Sequence, residues 1–316
     1  MIGKHASKTL ALSVAIVLPS IATAEGTLTL RGGYAQAMEE YPFAAIEGVA
    51  DDKPKKIFEA DYGGGLYSHI AYANDAMFGS IGGEISLSYS KLTGDTTKVP
   101  VSDDDVYVYD VIALTHDDYV SGAKTSNDTQ LGQLRAMASY DSSGSGMQFL
   151  GGIGVMHLSS DIHGSTLYPG EYSKIDRSTD YTGLGLVLGA RKSFPVTDYA
   201  VLQIEGFAGA YSGDRKVNIK DQYLSSGDKG YFSKKDKHTV FSLDLAASLA
   251  MPVDRFSKGS VFEVGLAYNR VFNVMDTSNY NSYTDGSPDA DFSYRTGSDS
   301  DDIDALSLFF GLQIPL

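Results

Sequence analysis

From Leu306 to the last residue every even position is apolar: Leu306, Leu308, Phe310, Leu312, Ile314 and Leu316. The residues between them, Ala305, Ser307, Phe309, Gly311, Gln313 and Pro315, are mostly small or polar. Side chains alternate faces along a strand, so one face of this segment is hydrocarbon while the other tolerates water. A strand of a soluble β-sandwich has the same alternation. This one also reaches the roughly nine to eleven residues that a tilted strand needs to cross a bilayer.

The other end of the chain points the same way. Lys4 and Lys8 precede an apolar run from Leu10 to Leu18, and Ala22-Thr23-Ala24 gives a small-x-small pattern before Glu25. That combination predicts a Sec-type signal peptide over 1–24 and a single exported domain over 25–316. No later segment approaches eighteen consecutive apolar residues, so no membrane helix is expected. Cysteine is absent, which excludes disulfides, thiolate metal sites and cysteine nucleophiles together. A net charge of −15 argues against nucleic acid, because no basic stripe is present to neutralise phosphates. The 34 glycines and 21 tyrosines suit thin, twisted strands with aromatic girdles, which Tyr and Phe must supply without Trp.

Ten segments carry strand-like alternation: 27–36, 57–72, 80–92, 128–140, 147–160, 180–193, 200–211, 238–253, 260–272 and 306–316. The connections alternate long and short, beginning and ending on long. An up-and-down antiparallel transmembrane β-barrel has this rhythm, with short periplasmic turns and long extracellular loops. Such a barrel leaves no backbone edge unsatisfied in lipid. The segment 106–114 inside the longest connection is apolar enough to be a strand, so a barrel of twelve strands is the alternative.

Phase along the strands assigns Arg31, Glu59, Asp61, Glu84, Arg135, Arg191, Glu205, Asp244 and Glu263 to the lumen. They read either as a charged pore wall or as an ion-pair network filling a narrow barrel. Eight strands enclose side chains and sixteen a water channel, and ten lies near the filled end. If a pore exists, the acidic excess predicts a modest cation preference. Two enzyme readings compete with this. Asp161 and His163 have the spacing of the Asp-x-His pair of omptin-type outer-membrane proteases, with Asp103–Asp105 or Asp117 and Asp118 as the facing carboxylates that would activate water. His157 and Ser159 resemble the His-x-Ser of lipid A deacylases. Chance adjacency in aspartate-rich loops explains the first and a bland Ser/His rim pair the second, so no catalytic residue is assigned. The run Asp103–Asp105 lacks the ordered spacing of a calcium loop and reads as a solvated face, so no metal site or cofactor is expected.

The C-terminal segment resembles the assembly signal of bacterial outer-membrane barrels through Phe309, Gly311, Ile314 and Leu316. The order of segment types further resembles the Legionella major outer membrane protein family of pore-forming barrels. The stretches that carry the likeness are GQLRAMASYD at 132–141, TDYTGLGLVLGARKSFPV at 179–196, and GFAGAYSG at 206–213. Two more are HTVFSLDLAASLAMPV with FEVGLAYNRVFN at 238–273, and the closing DIDALSLFFGLQIPL. That resemblance implies a passive pore in the bacterial outer membrane and carries over no catalytic residue. The partners it implies are outer-membrane lipid, lipopolysaccharide, the barrel-assembly machinery and small solutes or ions, with self-association left open. A non-conducting barrel acting as an adhesin or anchor through acidic loops is the alternative.

The exported protein is expected to begin at Glu25 and to run on unheated gels as a compact species that shifts on boiling. A fully hydrogen-bonded barrel exposes no edge to detergent. Identical mobility with and without heating would rule against a barrel.

Overall fold

The structure, a computed structural model, describes residues 26–38, 40–47, 54–61, 63–78, 81–98, 107–110, 122–142, 146–167, 171–223, 229–253, 258–274, 281–284, 292–293 and 302–316. The predicted signal peptide and the aspartates Asp103–Asp105, Asp117 and Asp118 lie outside the described residues. Ten strands form the frame: β1 (Thr27–Ala37), β2 (Gly64–Phe78), β3 (Ile81–Lys98), β4 (Gly122–Ser142), β5 (Met147–Leu167), β6 (Glu171–Thr197), β7 (Ala200–Tyr223), β8 (Lys229–Pro252), β9 (Val261–Phe272) and β10 (Ile303–Pro315). Each pairs antiparallel with its neighbours in sequence, and β10 pairs with β1, so the sheet closes on itself. The protein is therefore an up-and-down antiparallel transmembrane β-barrel of ten strands.

The twelve-strand alternative fails for an identifiable reason. Tyr107–Asp110, within the apolar segment 106–114, pairs with Glu40–Glu47, which in turn pairs with Pro54–Asp61. These three short strands make a sheet of their own, drawn from the first two outer connections. The predicted strand 57–72 is thereby split. Its first part joins the small sheet, and β2 begins only at Gly64, after Gly63 adopts φ +72°. Positive φ is cheap for glycine, which makes it the place where the chain can leave one sheet for the other.

Two of the five predicted long connections are mostly extensions of the barrel strands. β6 has 27 residues and β7 and β8 have 24 each, so β7 continues to Tyr223 and β8 resumes at Lys229. The outer positions of these extensions, such as Ser212, Asp214, Lys216 and Lys220 on β7 and Ser233, Lys235 and Lys237 on β8, are polar or charged, and apolar alternation on the outer face ends where that face no longer meets lipid. The hydrogen-bond ladder continues regardless, with Lys216 opposite Lys235 and Lys220 opposite Tyr231.

Below these extensions the outer face is hydrocarbon. Leu184, Leu186 and Leu188 on β6 are exposed at 61%, 69% and 69%, and Ile153, Ile204, Leu245, Leu266, Leu308 and Phe310 continue the band around the barrel. Exposed Tyr140, Phe149, Phe194 and Tyr199 lie toward the end with the short turns, where amphipathic rings sit well at a membrane interface. Asp198 and Tyr199 form one of those turns. Gly259, at φ +83°, belongs to another, in which Val253 N–H donates to the Ser260 carbonyl at 2.7 Å. The C-terminal segment takes its expected place in β10. Ile314 and Leu316 are on the lipid side, Phe309 and Gly311 are buried on the lumen side, and the Leu316 amide donates to Gly26 at 2.8 Å.

Replacing Leu186 or Leu308 by Arg puts a cation in the hydrocarbon band, at about 2–4 kcal/mol near the midplane. Both variants should fold less into lipid vesicles across a urea titration read by the gel shift, while Leu186→Ile should match the wild type. Unchanged folding of the Arg variants would displace the band.

Candidate functional site inside the barrel

The inner face of β7 gives the order of the lumen from the short-turn end outward: Gln203, Glu205, Phe207, Gly209, Tyr211, Gly213, Arg215 and Val217. Polar residues come first, then an ionic layer, then aromatic and apolar packing, then a second ionic group.

The ionic layer joins residues on neighbouring strands and also on strands that are not neighbours. Arg31 on β1 donates through Nε to Glu263 Oε1 at 2.8 Å and through Nη2 to Oε2 at 3.2 Å. Its third nitrogen pairs with Glu205 on β7. Arg191, opposite Glu205 in register, donates to Glu205 Oε2 and to Glu84 Oε2 on β3, each at 3.0 Å. It also reaches Gln148 Oε1 at 3.2 Å. Ser248 donates to Glu263 at 3.1 Å, and Gln313 donates to Gln203 across the lumen at 2.9 Å. A second crossing joins Arg135 on β4 to Asp244 on β8, with Asn269 donating to the same aspartate. Arg serves here because its planar fork can address two carboxylates at once, whereas a lysine ammonium is a single point of charge.

The guanidinium groups are also capped by rings. Arg31 lies 5.0 Å from the centre of Phe309, and Arg135 lies 5.1 Å from that of Phe207. Above them, Met156, Leu158, Tyr181, Val187, Tyr211, Val240 and Val271 are at most 1% exposed although all face the lumen. Tyr181 donates to the Tyr211 carbonyl at 2.8 Å. Glycines on the wall make the room. A methyl group at Gly209 would stand 2.5 Å from Tyr211 Cε2, and one at Gly154 would stand 3.2 Å from Cε1 of the same ring. Close-packed interiors leave no free volume for such an addition.

At the outer end, Arg215 on β7 grips Asp236 on β8 with both arms, Nε–Oδ1 at 3.1 Å and Nη2–Oδ2 at 2.8 Å. The hydrogen bonds from Arg215 hold the Asp236 carboxyl below the usual carboxylate range against its partial burial. His238 meets the carbonyl of Asn273. Asn273 sits at φ 64°, a left-handed conformation that Asn tolerates better than most residues. Its side chain donates to the Thr239 carbonyl at 3.1 Å.

The positions assigned from sequence sort clearly. Arg31, Glu84, Arg135, Arg191, Glu205, Asp244 and Glu263 share the lumen. Glu59 and Asp61 are not on the expected barrel strand; they lie on Pro54–Asp61, in the separate small sheet. Asp161 and His163 are on the outer face of β5, both exposed, where His163 Nδ1 meets Asp176 at 2.7 Å. His157 and Ser159 share that outer face and bond to Thr182 at 2.9 Å and Asp180 at 3.1 Å on β6. The sequence reading missed Arg215, Asp236 and His238, which sit in a stretch without hydrophobic alternation. Asp236 and His238 have the same two-residue spacing as Asp161 and His163, but on the inner face.

Glu205→Gln removes the buried carboxylate that Arg31 and the partly buried Arg191 share. Breaking a buried pair on one side costs about 3–5 kcal/mol, so the urea midpoint of the folded barrel should fall steeply. Asp214→Asn, in an exposed pair with Lys237 at 2.8 Å, should shift it by at most about 1 kcal/mol. Equal effects would mean that the lumen network is solvated.

No protein-family model and no curated protein matches the chain. Among solved structures it is similar to the outer membrane protease OmpT from Escherichia coli, at 11% identity over 92% of this chain and 97% of that one, with a TM-score of 0.49. It is also similar to the translocator domain of the autotransporter NalP from Neisseria meningitidis, at 13% identity over 95% and 91%, TM-score 0.38. The TodX deltaS2S3 mutant monoaromatic hydrocarbon channel is a third, at 11% identity over 93% and 91%, TM-score 0.33. None of these likenesses bears on substrate or activity.

Proposed function

We propose that this chain is a sealed, non-conducting barrel of the bacterial outer membrane, which serves as an anchor for the strands and small sheet that it carries above the lipid. One observation carries the reading: lumen-facing side chains from β1, β3, β4, β6, β7, β8 and β9 bond to one another across the barrel, and an apolar layer covers them. Ten strands enclose little more than their own side chains. A diffusion pore, the function expected from sequence, needs a continuous water path, and the packed layer of Met156, Leu158, Tyr181 and Tyr211 argues against one. In this reading the lumen charges hold the wall together and do not select ions.

A second reading is favoured by Asp236 and His238. A carboxylate and an imidazole two residues apart on the inner face, near the outer mouth, have the makings of an acid–base pair for activating water. Asp236 is held by Arg215 and His238 by the Asn273 carbonyl, so they serve as a structural clasp in this arrangement. Peptide cleavage by the purified barrel that is lost in His238→Ala would establish hydrolysis in place of anchoring.

Single-channel recording in planar bilayers separates sealed from open. The wild type is expected to give no unitary steps, and the double variant Tyr181→Ala/Tyr211→Ala, which empties part of the apolar layer, is expected to conduct. Regular steps from the wild type would overturn the proposal in favour of a pore.

A further inference from the structure

Past Phe241, the outermost exposed apolar side chain among the described residues on the outer face of β8, the outer wall formed by β7 and β8 turns charged. Asp214 and Lys237 come first, opposite each other in register and paired at 2.8 Å. The Lys237 ammonium holds the Asp214 carboxyl below the usual carboxylate range. The next outward pair is Lys216 opposite Lys235, both exposed, and Lys220 stands four residues further along β7. Like charges directly across an antiparallel pair are destabilising.

The nearest carboxylates keep their charge but direct their closest bonds to other groups, Asp214 to Lys237 and the two on β6 toward β5. Asp180 and Asp176 on β6 are opposite Lys216 and Lys220, but Asp180 accepts from Ser159 and Asp176 pairs with His163, both on the β5 side. Among the described residues no carboxylate forms an ion pair with Lys216, Lys220 or Lys235.

We propose that Lys216, Lys220 and Lys235 form a binding face for the anionic sugar headgroup of an outer-leaflet glycolipid of the lipopolysaccharide type. The proposal rests on the barrel's place in the outer membrane and holds whether or not the lumen conducts. Height selects this occupant over a phospholipid. Lys235 is six residues beyond Phe241, about 20 Å along the strand and about 15 Å of height at a tilt near 40°. The polar layer of an ordinary bilayer is only about 5–7 Å per leaflet. A lysine stem that bends back toward the membrane recovers part of that gap. A phosphorylated headgroup of several sugars spans it.

The test uses full-length mature barrel folded in detergent and titrated with fluorescent lipopolysaccharide. The variant Lys216→Gln/Lys220→Gln/Lys235→Gln should bind about 100-fold more weakly, from about 1 kcal/mol per lysine near an anionic surface. Wild-type affinity should fall with salt, and dephosphorylated lipopolysaccharide should bind the wild type as weakly as the intact glycolipid binds the variant. Lys91→Gln, in a pair with Asp128 elsewhere on the wall, should leave binding unchanged. The heat-shift gel confirms that each variant is folded. Equal binding by the triple variant and the wild type would overturn the site. Phosphatidylglycerol micelles that bind with the same lysine dependence would overturn the choice of a glycolipid.

Discussion

Arg31 donates to carboxylates on two strands with which its own strand does not pair, Glu263 on β9 and Glu205 on β7. The closed sheet is already held by its ladder, so these bonds are not needed to join neighbours. They tie the wall to itself across the interior. Arg191 extends the tie to Glu84 on β3, and Arg135 to Asp244 on β8 adds a second crossing. Such buried ions remain costly unless every charge is met, which explains why Gln148, Ser248, Gln313 and Asn269 all point at the same groups. The strut converts a ring of ten strands, which would otherwise be free to flatten, into one cross-section.

The apolar layer depends on that cross-section. Tyr211 lies against Gly209 and Gly154, and Phe207 lies against Gly189 on β6. A ring beside a glycine fits only while the wall keeps its curvature, and wall and rings therefore support one another. The outer clasp of Arg215, Asp236, His238 and Asn273 closes the other side of the layer. The interior is packed like the core of a soluble domain, while the exterior is a lipid-facing band below and a charged wall above.

Much of this was legible in the sequence, and what was not has physical causes. β10 was readable because lipid on one face and lumen on the other enforce strict alternation from Leu306 to Leu316. The lumen residues followed from the same phase on β1, β3, β4, β6, β7, β8 and β9. Glu59 and Asp61 were misplaced because alternation runs smoothly through Ile57 to Tyr72 while the backbone breaks at Gly63. The extensions of β6, β7 and β8 were invisible because neither face meets lipid, so Lys216 and Asp236 read as loop. Which of two arrangements the lumen charges adopt, lining or crossing, was not in the pattern at all. That outcome depends on the barrel radius, and alternation is silent about radius.

The absence of cysteine permits a direct measurement of whether the interior excludes water. Single cysteines at Val187, Ala267 and Ser242, each under 10% exposed on the lumen side, can be challenged with a water-soluble maleimide in the folded barrel, beside a cysteine at exposed Ser233. The three interior thiols should react at least about 100-fold more slowly than the one at 233 until the barrel is unfolded, because a close-packed core offers no path for the reagent. Labelling of the interior positions at the rate of the exposed control would contradict it and would mean that the lumen is open to water.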